Sequence, residues 1–284
     1  MTQEIKNKTF DEERSLYHLE NATVKNCVFA GPADGESALK EARNVTVTDC
    51  SFSLRYPLWH VKKYRLLNSI LDEMTRAPLW YSEEGEINGC EITGVKCLRE
   101  CDDTVIKNSK IISPEFGWRC RGLDIHNSTI ESEYLFFESK GAIINNLEMK
   151  GKYSFQYTEN LNIKNSNLDT KDAFWHSLNV TVENSVIKGE YLGWYSKGLT
   201  LKNCKIIGTQ PLCYCKNLTL IDCTMADTDL AFEYSEVNAT IKGNILSVKN
   251  PAKGKIIADS IGEVILEGSV METYCEIKTL TAAK

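Results

Sequence analysis

No stretch of this 284-residue chain is apolar for long enough to cross a bilayer, which takes about 18 consecutive apolar residues. The opening MTQEIKNKTFDEERS is polar and charged and lacks the apolar middle of a secretory signal. Nor is there a block of Lys and Arg: the formal net charge is -6, and a phosphate-tracking surface needs clustered cations. These absences predict a soluble, cytoplasmic protein with neither membrane nor nucleic acid as a partner. C-x-x-C pairs, a Walker loop, a G-x-G-x-x-G turn and a nucleophile elbow are all missing, so neither a metal nor a cofactor is expected. The 11 cysteines are odd in number and the chain is not small, which argues against a disulfide framework.

What is present is a repeat. A turn residue, then a small residue, any residue and an apolar one recur as NKTF at Asn7, NCVF at Asn26, DCSF at Asp49, NSIL at Asn68 and GCEI at Gly89. The phrase continues at Asn108, Asn127, Asn146, Asn165, Asn184, Asn203, Asp222, Gly243 and Glu267. The intervals are 19, 23, 19 and 21, then seven of 19, then 21 and 24. Before each anchor, apolar residues alternate with polar ones, as at Val45 and Val47 around Thr46, or Leu199 and Leu201 around Thr200. That period of two marks a strand with one buried face. The anchor turns the chain, because Asn, Asp and Gly tolerate the left-handed conformation. A second short strand follows, with its apolar residue three places on: Phe29, Phe52, Ile111, Ile130, Leu168 and Ile206. About ten residues after the anchor lies a third strand-like segment, as in PLWHV, FGWRC and DAFWHS. Three short strands per repeat without a helix predict an all-β fold, a single-stranded right-handed parallel β-helix. About 13 coils of about 19 residues form one domain over 1–284.

The cysteines follow the repeat. Cys27, Cys50, Cys90, Cys204 and Cys223 sit just after the anchor, where other coils carry Ser; Cys101, Cys120 and Cys215 replace Ser in a second row. Both rows read as small inward side chains, and free Cys is a compact buried residue. The Asn-x-Ser/Thr triplets, such as those at Asn21, Asn44 and Asn179, also keep the repeat phase, so they read as turn residues whose stacked side chains hydrogen-bond along the rod.

Chemistry concentrates in the third segment. One position gives Lys40, Trp59, Trp80, Arg99, Trp118, Phe137, Gln156, Trp175, Trp194, Cys213 and Phe232. The next gives Glu41, His60, Tyr81, Glu100, Arg119, Glu138, Tyr157, His176, Tyr195, Tyr214 and Glu233. Arg99, Lys40 and Gln156 argue that the Trp lane faces outward, since an inward guanidinium needs a buried partner. Strict alternation lets only one of the two lanes face out; a bulge or corner between them lets both. An exposed strip of rings and charges suits an oligosaccharide, whose faces stack on rings and whose hydroxyls meet charged groups. Trp59, Trp80, Arg99, Trp118, Tyr157, Trp175, Trp194, Tyr195 and Tyr214 are therefore the candidate ligand-binding residues. The competing reading is an aromatic ladder that only stabilises the sheet.

For catalysis the candidates are Glu100, Glu138, His176 and Arg119. In-phase residues two turns apart lie about 10 Å from each other, so Glu100 and Glu138, straddling Arg119, approach the carboxylate spacing of inverting glycosidases. Glu138 and His176 are also two turns apart, with Tyr157 between them. Arg99, Arg119 and Arg121 could neutralise an acidic sugar. Glu100, Arg119 and Glu138 equally make a surface ion-pair ladder. Asp102–Asp103 and Glu83–Glu84 read as solvated turn pairs rather than calcium ligands.

Six segments, FAGPADGESALKEARNVTV, RYPLWH, KYSFQYTENL, LDTKDAFWH, GEYLGWYS and GTQPLCYC, resemble an uncharacterised bacterial family, a domain of unknown function. The resemblance spans nearly the whole chain. It implies a right-handed β-helix similar to that of pectin lyases and polygalacturonases, and it implies no activity, because the catalytic and calcium-binding motifs of those enzymes have no match here. Two readings follow. In the first, the protein binds or acts on an oligosaccharide through the aromatic and charged lane. In the second, it is a non-catalytic scaffold whose aromatic face takes a protein partner or a second copy, as a homo-oligomer.

Overall fold

The computed structural model describes residues 3–31 and 36–280. The sequence near Gly31–Ser37 reads as an irregular loop, and most of it lies outside the described residues. The chain divides into two compact units, Met1–Ile143 and Ile144–Lys284. It is an all-β parallel solenoid of about 14 turns, with no helix among the described residues.

In the first unit the strand before each anchor stacks on its counterpart in strict register. Ile5 pairs with Val24, Val24 with Val47, Val47 with Leu66, Leu66 with Ile87, and Ile87 with Ile106. The strand after the anchor does the same, from Phe10 through Phe29, Phe52, Leu71 and Ile92 to Ile111. Apart from the half-buried Phe10 at one end these inward columns are buried, and the Phe29 and Phe52 rings stack at 4.6 Å. Each such side chain contributes about 1.5–3 kcal/mol of apolar burial, and apolar residues fall above one another because the register is kept from turn to turn.

In the second unit the columns run Ile163, Val182, Leu201, Leu220 and Leu168, Ile187, Ile206, Met225. Register shifts then interrupt the pairing at Leu220/Cys223 and at Ile241/Asn244, and the strands lengthen to Glu236–Lys249 and Lys253–Ile265. These shifts coincide with the longer intervals after Asp222.

The corners are left-handed as expected, with φ between 46° and 57° at the Asn and Asp anchors from Asn7 to Asp222. The last corner is placed differently: Gly268, not Glu267, is the left-handed residue. Glycine tolerates that conformation without a Cβ clash, so it takes the corner from its acidic neighbour.

The Ser and Cys rows do more than fill space. The backbone N–H of Cys90 donates to Ser109 Oγ at 3.1 Å, and the Ser109 hydroxyl donates to the Lys107 carbonyl at 2.7 Å. The same relay joins Cys50 to Ser69 and Ser166 to Ser185. An inward N–H that the ladder leaves over would otherwise lack a partner, which costs about 1–3 kcal/mol. Thiols serve as well as hydroxyls: Cys50 Sγ lies 3.2 Å from the Thr48 carbonyl. Burial pushes the Cys50 and Cys90 thiols up to about 11, so they stay protonated and unreactive. Asn side chains form ladders of their own, Asn26 to Asn7 at 2.7 Å and Asn203 to Asn184 at 2.9 Å at anchors, and Asn44 to Asn21 and Asn179 to Asn160 in a second row.

Candidate functional site

The third segment is not a strand. Its turns are joined by isolated bridges such as Trp80 to Arg99 and Arg99 to Trp118 and by single backbone hydrogen bonds such as that from the His60 N–H to the Trp80 carbonyl. In the turns from Lys96 onward every second residue is left-handed: Lys96, Leu98 and Glu100, then Glu115, Gly117 and Arg119, then Tyr134, Phe136 and Glu138. This arch breaks the period of two. The residue before the Trp lane points inward, as Leu98 and Phe136 do, while the Trp lane and the one after it both reach the outer side. Where Gly117 holds the inward place, a Cβ would lie 2.2 Å from Cδ1 of Phe136, so glycine there makes room for that ring.

The Trp lane lies flat against the wall, half-buried rather than fully outward. Each indole N–H donates to a carbonyl on the following turn: Trp59 to Ala77, Trp80 to Lys96, Trp118 to Tyr134, Trp175 to Tyr191 and Trp194 to Gln210, at 2.6–2.8 Å. All five acceptors are left-handed arch residues. Gln156 keeps the bond without the ring, its amide donating to the Asp172 carbonyl at 3.0 Å. Gln156 was expected outside, yet it is only 8% exposed, and Cys213 in the same lane is also buried. Phe232, assigned to this lane from the sequence, instead takes the left-handed inward place of Leu212, and Glu233 and Tyr234 hold the two lanes of its turn. The polar end of Gln156 is satisfied by the arch carbonyl, so burial does not penalise it.

The ring faces are taken. Trp59 stacks on Trp80 at 5.2 Å and Trp175 on Trp194 at 5.4 Å, both at 6°. Arg99 lies between Trp80 and Trp118, 4.5 and 4.7 Å from their ring centres, and ion-pairs with Glu115 at 3.1 Å. Its side chain is 18% exposed. The lane therefore presents edges, and the Arg99 guanidinium is already committed.

The next lane is more exposed and differs between the units. In the second unit Tyr157, His176, Tyr195 and Tyr214 stack in sequence at 4.8, 5.1 and 4.8 Å, and Tyr234 follows at 5.8 Å. Burial and the carboxylate of Glu233 raise the Tyr214 phenol above its ordinary value. In the first unit a His60–Tyr81 stack at 4.9 Å gives way to Glu100, Arg119 and Glu138. Arg119 Nε donates to Glu138 at 2.6 Å, and this bond raises the guanidinium pKa further. Of the four catalytic candidates, Glu100, Arg119 and Glu138 thus fall on successive turns of one unit. His176 belongs to the other unit and lies between two phenols.

Beside Glu100 and Arg119 the surface is concave. A groove of about 540 Å³ is lined by His60, Tyr81, Glu83, Glu100, Asp102, Arg119 and Arg121. Its second wall comes from the position two beyond the lane, Glu83, Asp102 and Arg121, with Lys62 in the same column one turn before them and an inward residue such as Cys101 or Cys120 between the walls. Lys62 and Glu83 pair at 2.7 Å. Among the described residues Glu100, Asp102 and Arg121 make no side-chain ion pair. Asp102 and Glu83, read from sequence as solvated turn carboxylates, are wall residues of the groove. The available signal was their phase, two places beyond the lane on consecutive turns. Among the described residues no group of three or more His, Cys, Asp or Glu could hold a metal ion.

The search of curated proteins finds no match. Among solved structures the chain is similar to PfbA, a surface adhesin of Streptococcus pneumoniae, at 9% identity and TM-score 0.36, covering 84% of this chain and 70% of that one. It is also similar to the A-module of the mannuronan C-5 epimerase AlgE4 of Azotobacter vinelandii, at 10% identity and TM-score 0.33, covering 84% of this chain and 89% of that one. The family match extends over residues 3–278, and the chain belongs to the DUF3737 family, proteins of unknown function.

Proposed function

We propose that the protein binds an oligosaccharide, and that the binding site is the groove of the first unit. The supporting observation is the groove itself: carboxylates, guanidiniums, a phenol and an imidazole line two walls and recur from turn to turn. A linear sugar chain repeats its hydroxyls along its length as the solenoid repeats its side chains. Charged acceptors and donors held by a rigid backbone suit such hydroxyls, because charge-assisted hydrogen bonds are stronger than neutral ones. Edges of His60 and Tyr81 add polar contacts at one end. Rings already stacked on one another do not offer faces to a sugar, so Trp59, Trp80, Trp118, Trp175 and Trp194 act in this reading as the frame behind the lane.

Binding is favoured over turnover. Glu138 is tied to Arg119, and the acid/base pair of Glu100 with Glu138 is thereby left with one free member. A thermal-shift screen of the full chain against neutral, amine-bearing and acidic oligosaccharides tests the reading. A ligand at 100 times its Kd should add about 2.7 kcal/mol of stability. The shift should vanish in Arg121→Ala and persist in Tyr195→Phe, which alters the other unit. No shift with any sugar would refute it.

A protein partner or second copy is the alternative. The stacked lanes do not favour it, but the last turn does: Leu266, Val270, Met271 and Tyr274 are exposed, Val270 at 87% and Tyr274 at 73%. Apolar side chains grouped so closely mark interaction surfaces. Light scattering of the wild type and of Val270→Asp would detect self-association through that turn.

A further inference from the structure

We propose that the groove selects by charge, taking a glycan that carries protonated amines in preference to a neutral one and rejecting one that carries carboxylates. This rests on the reading of the groove as a carbohydrate site.

Three arginines near the groove could have met an acidic sugar, and two of them are spent. Arg99 is held between two indoles and paired with Glu115. Arg119 is paired with Glu138 at 2.6 Å, and on the opposite wall Lys62 neutralises Glu83 at 2.7 Å. Among the described residues Glu100, Asp102 and Arg121 make no ion pair, two negative charges against one positive, and Glu100 shares the charge of Arg119 with the Glu138 carboxylate that Arg119 bonds.

The arrangement of the two carboxylates supports the choice. Glu100 and Asp102 flank the buried Cys101, so one stands on each wall at the same turn. Glu100 is a left-handed arch residue, and Asp102 opens the strand Asp102–Lys107. Their backbones are fixed by different hydrogen bonds, Glu100 N–H to the Trp118 carbonyl and Asp102 N–H to the Ser82 carbonyl. The walls are thereby pre-set before any ligand arrives. An ammonium group lying in the groove meets a carboxylate from either side. A uronate in the same place meets two like charges, opposed by Arg121, which stands one turn from Asp102, and by Arg119, whose charge Glu138 already offsets. Arg121 fits a hydroxyl or ring oxygen next to the amine-bearing carbon.

The test uses three oligomers of equal length: glucosamine, its N-acetylated counterpart, and galacturonate, measured by calorimetry with the full chain at a pH where the amine is protonated. The glucosamine oligomer should bind about tenfold more tightly than the acetylated one, the difference expected of one charge-assisted contact. Galacturonate should not bind. Raising the salt concentration should weaken the glucosamine oligomer and leave the acetylated one nearly unchanged. In the Glu100→Gln/Asp102→Asn double variant the glucosamine oligomer should lose its advantage over the acetylated one and its salt dependence, and an unchanged Tm of the free variant establishes that it is folded. Equal or tighter binding of the acetylated or galacturonate oligomer overturns the charge preference and leaves the carbohydrate reading intact. Persistence of the amine preference in the double variant also overturns it. No binding by any of the three overturns both.

Discussion

The same outward position is used in opposite ways by the two units. In the second, Tyr157, His176, Tyr195 and Tyr214 stack face to face and close into a continuous ladder. In the first, the ladder begins with His60 and Tyr81 and is then broken by Glu100, Arg119 and Glu138. The backbone is alike in both, since Glu100, Arg119, Glu138, His176 and Tyr195 are all left-handed. An arch that fixes only the direction of the side chain leaves its chemistry free. Where rings follow rings they satisfy each other, and where charges interrupt them polar groups are left facing solvent. The break in the ladder is the part of the lane open to a ligand.

The comparison can be broken most severely at the arch. Gly117→Ala should cost about 2–4 kcal/mol, combining a left-handed Ala with overpacking against Phe136. Urea denaturation would measure this, and a loss below about 0.5 kcal/mol would mean that the arch adjusts and does not impose the lane direction. A smaller and more pointed change is Glu100→Tyr, which extends the ring ladder of the first unit by one turn. It should raise stability by about 0.5–1.5 kcal/mol through stacking on Tyr81 and abolish any oligosaccharide-induced thermal shift. Stability gained with binding retained would separate the groove from the break.

The smallest expected effect lies on the second unit's charged face. Hydrogen bonds from Lys164 and Lys202 hold the Glu183 carboxyl below its usual range. A carboxylate whose pKa is lowered by folding stabilises the protein at pH values above its unfolded pKa, and that contribution fades as pH falls through the folded pKa. Glu183→Gln should therefore lower Tm slightly near neutral pH and converge with the wild type in acid. Curves that stay parallel through the acid range would show that the triad adds nothing.

Much of the fold was legible because the repeat is local chemistry copied many times. A left-handed Asn or Asp, two apolar residues at period two and an inward Ser or Cys define each turn without reference to its neighbours. The third segment was misread as a strand because Trp-rich strings score as β from composition, whereas their backbone alternates left-handed residues such as Leu98, Glu100 and Phe136. Leu, Glu and Phe carry no mark of a positive φ in the sequence. The outward Gln156 was misplaced for a related reason: its burial depends on a carbonyl contributed by Asp172, one turn on.

The sequence by itself determined the turn length, the corners, the inward columns and the phase of the two lanes, because each depends on residues within one repeat. Only the tertiary structure decided that indole faces are covered, that Arg99 and Arg119 are already paired, and that Glu100, Asp102 and Arg121 line one groove with charges to spare. Those outcomes depend on contacts between residues 16 to 21 places apart. Stacking in register brings such residues together, and which of them pair is settled by the arch geometry rather than by residue type.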